Sequence, residues 1–260
     1  MSWTGGTFGP YAQCVLAPNP GHMTLDGTNT WVLRAPGAAR SVVVDPGPLI
    51  DSHLAAVANA ASPVAVVLLT HGHLDHAEGA AAFAERAGCG VRSVDPQWRV
   101  GGVGLEHGAV VEVDGLELRV LATPGHTADS VCFVLDGASA VLTGDTVLGR
   151  GTSVVAHPDG TLGPYLASLR SLRELCAAER VSQLWPGHGR LLENPAAVLA
   201  GYLMHREQRL EQVRAALDAG ARNAREVVEI VYADVDRVLW PAAELSVHAQ
   251  LEYLRGRPSR

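Results

Sequence analysis

A chain of 260 residues, 47% hydrophobic and 18% charged, has the length of one large domain or a domain with an appendage, and the composition of a globular core. Its formal charge of −7 excludes an overall electrostatic footprint for tight nonspecific nucleic-acid binding. No N-terminal basic-then-apolar stretch reads as an export signal and no apolar run reaches the ~18 residues of a membrane span, so a cytoplasmic chain with no membrane partner is expected.

Residues 12–150 read as strands punctuated by turns. Asp26-Gly27-Thr28-Asn29-Thr30 gathers small hydroxyl-bearing residues around a glycine, which predicts a turn whose side chains cap backbone groups. The functional alternative is that Thr28 or Asn29 fixes the loops of a site or touches substrate. Val42–Val44 reads as a strand that ends in Asp45-Pro46-Gly47-Pro48, and the Ala-rich residues 51–61 as a helix. Val64–Leu69 is a buried-strand run ending at Thr70. A second Ala-rich helix is expected over 76–87. Leu116–Leu121 alternates and stops at Thr123-Pro124-Gly125, and Val131–Leu135 and Ala140–Leu142 continue the pattern. Residues 163–179 carry leucines at 166, 169, 172 and 175, a helical spacing. From Asn194-Pro195 the character changes. A long amphipathic helix is expected over 195–219, ended by Gly220, then short helices over 224–232, 234–239 and 241–255. The expected division is a catalytic domain over 1–195 and a helical segment over 196–260. Removing that segment is expected to impair substrate use more than metal loading. The four cysteines, Cys14, Cys89, Cys132 and Cys176, form no CxxC pair and are expected as reduced, mostly buried thiols.

Five histidines and two aspartates stand in four loops, each directly after a strand-like run: His71, His73, Asp75 and His76 in Thr70–His76, then His126, Asp145 and His188. Neutral imidazoles and carboxylates are the donors of zinc-like ions. On a loop, His71 and His73 can point at one ion while Asp75 and His76 turn toward a second. His126 completes the first set, His188 joins the second, and Asp145 is the natural bridge because a carboxylate has two oxygens. The expected cofactors are two divalent ions, zinc first, with manganese or iron also suited to nitrogen and oxygen donors. Ligating imidazoles need acceptors behind them, for which Asp45 is the first candidate and Asp129 the second. His22, His53, His107 and His157 are expected on the surface. Of the two histidines in the helical segment, His205 and His248, the latter is the better placed to face the site.

At these residues the chain resembles the metallo-β-lactamase fold superfamily, over roughly residues 12–195. The resemblance implies an α+β fold, a four-layer αβ/βα sandwich of two mixed sheets with helices outside. It implies the same two ligand sets bridged by Asp145, and Asp rather than Cys at 145 implies the hydrolase branch rather than the true zinc β-lactamases. Met23–Thr30, Gly144–Gly149, Tyr202 and His205-Arg206 are similar to the β-lactamase-like protein 2 subgroup, which implies a winged-helix-like segment after the catalytic fold. It further implies either single-stranded RNA or an acyl thioester as substrate.

The expected chemistry is metal-assisted hydrolysis with Asp75 and Asp145 as catalytic residues, Asp145 bridging the ions and Asp75 accepting a proton. A phosphodiester substrate would call for cations such as Arg150, Arg206 and Arg209. An ester or thioester would call for an apolar pocket, with Trp31 and Trp185 as candidate walls and Thr28, Asn29 and His248 as candidate substrate contacts. A different class, an iron-dependent persulfide dioxygenase on the same fold, is separated by metal content and oxygen uptake. A non-catalytic binding module is disfavoured because all seven ligand positions hold competent side chains.

Overall fold

The computed structural model describes residues 2–256. The first half of the chain builds a six-stranded sheet in sequence order: β1 (Gly6–Phe8), β2 (Ala12–Leu16), β3 (Asn29–Leu33), β4 (Ser41–Val44), β5 (Val64–Leu68) and β6 (Gly90–Arg92). Its first three pairings are antiparallel, and β4, β5 and β6 run parallel, joined by α1 (Asp51–Ala61) and then by α2 (Leu74–Ala77) with α3 (Ala80–Ala87). The second half repeats the plan in a sheet of β7 (Val110–Val113), β8 (Leu116–Ala122), β9 (Val131–Leu135), β10 (Ala140–Gly144), β11 (Gln183–Pro186) and β12 (Leu192–Glu193). Here the parallel pair is β10 with β11, joined by α4 (Leu162–Ala178).

Strand alternation assigns each apolar side chain to a layer. Val42 and Val44 of β4 point between the sheets with Trp31, Leu68, Leu118, Phe133, Leu142 and Trp185. Val43 and Val67 point the other way, onto Leu54 and Val57 of α1 and Phe83 of α3. On the far side, Val134 and Val141 meet Leu166 and Leu169 of α4. The result is helix, sheet, sheet, helix, an α+β sandwich of two mixed sheets with small C-terminal helices.

The 76–87 helix is in fact two. α2 stops at Ala77 and α3 begins at Ala80 because Gly79 lies against the Asp45–Pro48 loop, where a Cβ would come within 2.9 Å of the Gly47 carbonyl oxygen. The expected helix over 234–239 is a turn followed by a single 3-10 turn, Arg237–Leu239. α5 (Pro195–Asp218) starts at Asn194, whose side chain accepts from the Ala197 amide, and is followed by α6 (Ala224–Val231) and α7 (Trp240–Arg255). Among the described residues no helix is long and apolar enough to cross a membrane.

The C-terminal helices are built into the sandwich. Leu199, Tyr202, Leu203 and Leu210 of α5 and Ala249 of α7 pack with the leucines of α4, and the Tyr202 hydroxyl accepts from the Leu148 amide at 2.8 Å. Only the far end of α5 turns to a separate cluster with α6 and α7, around Val213, Val227, Val228 and Val247. This packing makes a folding defect an expected result of removing residues 196–260, beside the substrate defect that a cleft-capping role implies. Residues 1–195 alone should show no cooperative thermal transition by circular dichroism, because the outer face of α4 would be laid bare. A sharp melt with normal metal loading would contradict that expectation.

Candidate metal centre

Each donor leaves the end of a strand on one side of the sandwich. His71, His73, Asp75 and His76 follow β5 in the first sheet, and His126, Asp145 and His188 follow β8, β10 and β11 in the second. All seven converge. The Nδ1 of His73 lies 3.1 Å from Nε2 of His71 and 3.1 Å from Nε2 of His126. Across the site, Nε2 of His188 lies 3.1 Å from Nε2 of His76 and 3.1 Å from Oδ2 of Asp75. Two nitrogens on one tetrahedral zinc-like ion at ~2.0–2.1 Å sit roughly 3.3 Å apart, so these spacings are those of donors sharing a cation.

The hydrogen bonds behind the rings decide what faces inward. The Thr70 hydroxyl gives its one proton to Asp45 Oδ2 at 2.6 Å, so toward Nδ1 of His71, at 3.0 Å, it can only accept. His76 Nδ1 donates to Asp45 Oδ2 at 2.9 Å, His126 Nδ1 to the Val154 carbonyl at 2.7 Å, and His188 Nδ1 to the Gly27 carbonyl at 3.1 Å. All four rings therefore carry hydrogen on Nδ1 and, once neutral, turn the Nε2 lone pair inward. Lone pairs brought this close repel unless something positive lies between them. The buried Oδ1 of Asp145 has no hydrogen-bond partner. Gly187 leaves the space beside it open, since a Cβ there would stand 2.6 Å from His76 Cε1 and 2.7 Å from Asp145 Oδ1. The donor set fits divalent cations on geometry and on chemistry.

Two trios share no residue: His71, His73 and His126, and Asp75, His76 and His188. Each takes two donors from the first sheet and one from the second. Asp145 stands between them, with Oδ1 3.5 Å from His76 Nε2, and Oδ2 3.4 Å from His188 Nε2 and 3.7 Å from His126 Nε2. It is the residue whose oxygens approach nitrogens of each trio.

Burial lowers the basicity of His71 well below the ordinary imidazole value, and lowers that of His126 too. Burial also opposes charge on His76, but Asp75, Asp145 and Asp45 around it prevail and raise its pKa to about 9. A bound cation replaces the proton in that ring of carboxylates. Against its burial, Asp145 and Asp75 likewise raise His188 to about 11, so metal affinity should rise as pH is raised to about 9 and on toward 11, whereas a site whose imidazoles are already free at neutral pH would show a flat profile. Metal titration of the protein across that pH range reads this directly, and a flat profile would contradict it.

Asp45 takes the supporting place expected of it, accepting from the Thr70 amide, the Thr70 hydroxyl and His76. Asp129 does not. Its Oδ1 accepts from the Thr127 hydroxyl at 2.7 Å, and the acceptor behind His126 is Val154. The 26–30 segment is more than a turn. Asn29 begins β3, and Thr28 bridges His188 in antiparallel fashion. Thr28 is fully buried and donates to Asp75 Oδ2 at 3.3 Å. Asn29 is fully buried, and its amide donates to the carbonyls of Pro186 and Gly189 at 2.9 and 2.8 Å. Both hold the second trio in place, and neither has free surface for a substrate.

His248 is exposed on α7 with its ring 6.4 Å from that of His157, outside the convergent group. His205 lines a cavity beside the Val154 segment. His53 is buried, with Nε2 2.9 Å from the Thr30 hydroxyl, where a surface position was expected. Trp31 and Trp185 stack at 5.0 Å in the core between the sheets rather than walling a pocket at the metals, and Trp31 Nε1 donates to the Pro186 carbonyl. Cys14, Cys132 and Cys176 are buried, Cys89 is half-buried, and all four are free thiols.

The sequence pattern described as the metallo-beta-lactamase superfamily matches residues 23–183. The chain belongs to the metallo-β-lactamase superfamily. The beta-lactamase associated winged helix domain follows it, matching residues 224–257. This superfamily enzyme is similar to the lactamase-like protein nscB of Trichophyton rubrum, 34% identical over 78% of this chain and 62% of that one, so the match spans less than two thirds of that relative. It is 30% identical to the beta-lactamase-like protein 2 homolog of Drosophila melanogaster, over 92% of this chain and 86% of that one. It is 35% identical to the atrochrysone carboxyl ACP thioesterase of Aspergillus fumigatus, over 84% and 68%. Among solved structures it resembles a metallo-beta-lactamase family protein from Thermus thermophilus, with a TM-score of 0.79 at 23% identity over 95% of this chain and 93% of that one. A metallo-β-lactamase fold carrying this His/Asp cluster points to divalent metal binding.

Proposed function

We propose that the chain is a dinuclear metal-dependent hydrolase acting on small ester or thioester substrates, with residues 1–195 carrying the centre and residues 196–260 closing its cleft. The observation that carries the reading is the pair of separate donor trios with Asp145 between them. Two divalent ions, zinc first, would supply an activated water and Lewis acidity there. Asp145 orients toward both ion positions. Asp75, steadied by Thr28, holds the second position and is the carboxylate placed to take up a proton. A single-iron oxidoreductase would leave the second trio without a task.

The ester or thioester preference rests on what surrounds the centre and on the thioesterase among the relatives. Arg150 is paired with Asp26 at 2.8 Å. Arg206 and Arg209 lie over the rings of Tyr165 and Tyr232 and donate to the Ser153 and Val231 carbonyls. Arg150 is neutralised and Arg206 is buried, so the three do not form the exposed row of cations that a nucleic-acid backbone calls for.

The test is turnover of an acyl thioester, a lactone and single-stranded RNA, with and without chelator, alongside elemental analysis. The expected result is chelator-sensitive cleavage of the acyl substrates with two ions per chain. Cleavage of RNA alone, or one iron per chain with oxygen uptake, would overturn it.

A further inference from the structure

A cavity of about 220 Å³ lies between residues 152–154 and the C-terminal helices. Its walls include Met23, Val154, Tyr232, Val235 and Leu239, which are apolar or aromatic, and no Asp or Glu is among the residues that line it. It is smaller than the ~300–1,000 Å³ of a whole ligand pocket, so its size suits one end of a molecule. One residue separates it from the metal centre, because Val154, in its wall, is the residue whose carbonyl holds the outer nitrogen of His126.

Arg206 is the unusual wall. It is 4% exposed, yet no carboxylate pairs with it among the described residues. One guanidinium nitrogen donates to the Ser153 carbonyl and the plane lies 4.9 Å from the Tyr165 ring centre, but Nε is buried with no partner. The neighbouring His205 Nδ1 is also buried without a partner. A buried guanidinium without a counter-charge is costly, and an arriving anion removes that cost. Arg209 adds a second cation to the same wall. These features belong to an acidic chain, so an uncompensated cationic pocket beside the centre is a local arrangement rather than an overall one.

We propose that this chamber binds an oxyanion end group, carboxylate or phosphate, carried on a partly apolar arm of the substrate, with Arg206 as the specificity-determining residue and His205 and Arg209 beside it. The proposal rests on the hydrolase reading for its consequence in catalysis, but the binding of the anion does not. The 152–154 strap sets the distance. Adjacent carbonyls of Ser153 and Val154 hold Arg206 and Nδ1 of His126, so the anion position lies across this strap from the donors and the arm of the substrate would have to pass its edge.

The test compares glutaryl and pentanoyl thioesters of N-acetylcysteamine, which match in chain length and differ in the terminal carboxylate. The wild-type enzyme should favour the glutaryl substrate by roughly tenfold or more in kcat/KM, mainly through KM, as a charge-assisted hydrogen bond provides. Arg206→Gln should bring the ratio to near one. Ala242→Phe, at a half-buried position of the chamber wall, fills the space with Arg206 intact and should do the same if Arg206→Gln does not fold. In parallel, calorimetry of the metal-loaded protein with glutarate and with butyl phosphate reads binding without turnover. Affinity lost in either variant, with metal content unchanged, supports the chamber, and the tighter of the two probes names the anion. Turnover with no glutaryl preference, or glutarate affinity indifferent to both substitutions, overturns the proposal and leaves the hydrolase reading standing. No turnover of any acyl thioester, ester or lactone, with variant-sensitive glutarate binding, overturns the hydrolase reading and leaves the chamber.

Discussion

Asp145→Asn is expected to lower kcat by roughly 10³-fold or more and to reduce bound metal from two ions per chain toward one. The substitution keeps the shape and takes away the charge. Asp145 is nearly buried, and His188, His76 and His71 hold its carboxyl ionised well below the usual carboxylate range, although burial alone would push it the other way. An amide presents one acceptor and one donor, so whichever way it turns, an N–H group faces a nitrogen lone pair or an ion position. His126 and His188 keep their own anchors at Val154 and Gly27, so the damage should stay at the bridge rather than spread through the loops. Elemental analysis with kinetics on the same preparation checks this. Full activity with two ions bound would refute the bridging role.

Gly125→Ala is expected to cost roughly 3 kcal/mol or more of stability, and with it most of the activity. Gly125 has φ +139, and a Cβ there would stand 2.3 Å from the Tyr165 Cα and 2.4 Å from its amide nitrogen. Those atoms are backbone of α4, which cannot yield as a side-chain tip can. Tyr165 is itself fully buried and donates to the Thr146 carbonyl at 2.8 Å, one residue beyond Asp145. Pushing α4 outward therefore disturbs the His126 loop and the Asp145 loop together. Urea unfolding monitored by fluorescence gives the measurement. A midpoint unchanged from the wild type would show that the loop accommodates a side chain.

The centre was legible in the sequence because its donors are local. Strand ends are marked by valine runs that stop at threonine, glycine or proline, and the ligands come next in the chain. The sandwich was implied by the family resemblance that those ligands carry, not by the strand marks themselves. What escaped the sequence was decided by parts of the chain far apart. Asn29 reads as a turn residue until Pro186 and Gly189 are brought against it, across a separation of 157 residues and more. His53 sits in a helix of alanines with no pattern to set it apart, and it is buried because Gly47 and Thr30 close over it. His205 and His248 are both ordinary helix residues, and only the packing of α5 and α7 shows which one meets a cavity. Trp31 and Trp185 lie in opposite halves of the chain, and nothing local says that they stack. The change of composition at Asn194-Pro195 reads as a boundary, yet Leu199, Tyr202 and Leu203 beyond it belong to the same apolar layer as α4.

Because neither trio is complete within one sheet, each ion would act as a rivet driven through the seam of the sandwich. Stripping the ions would then do more than silence the chemistry: it would release a cross-link at that rim and leave protons alone to hold the facing imidazoles and carboxylates together. By mass action the melting temperature should climb with free metal concentration, by an amount that tracks the logarithm of the ion's saturation. Cellular supply of the ion would set how long the folded chain survives, as well as how fast it works.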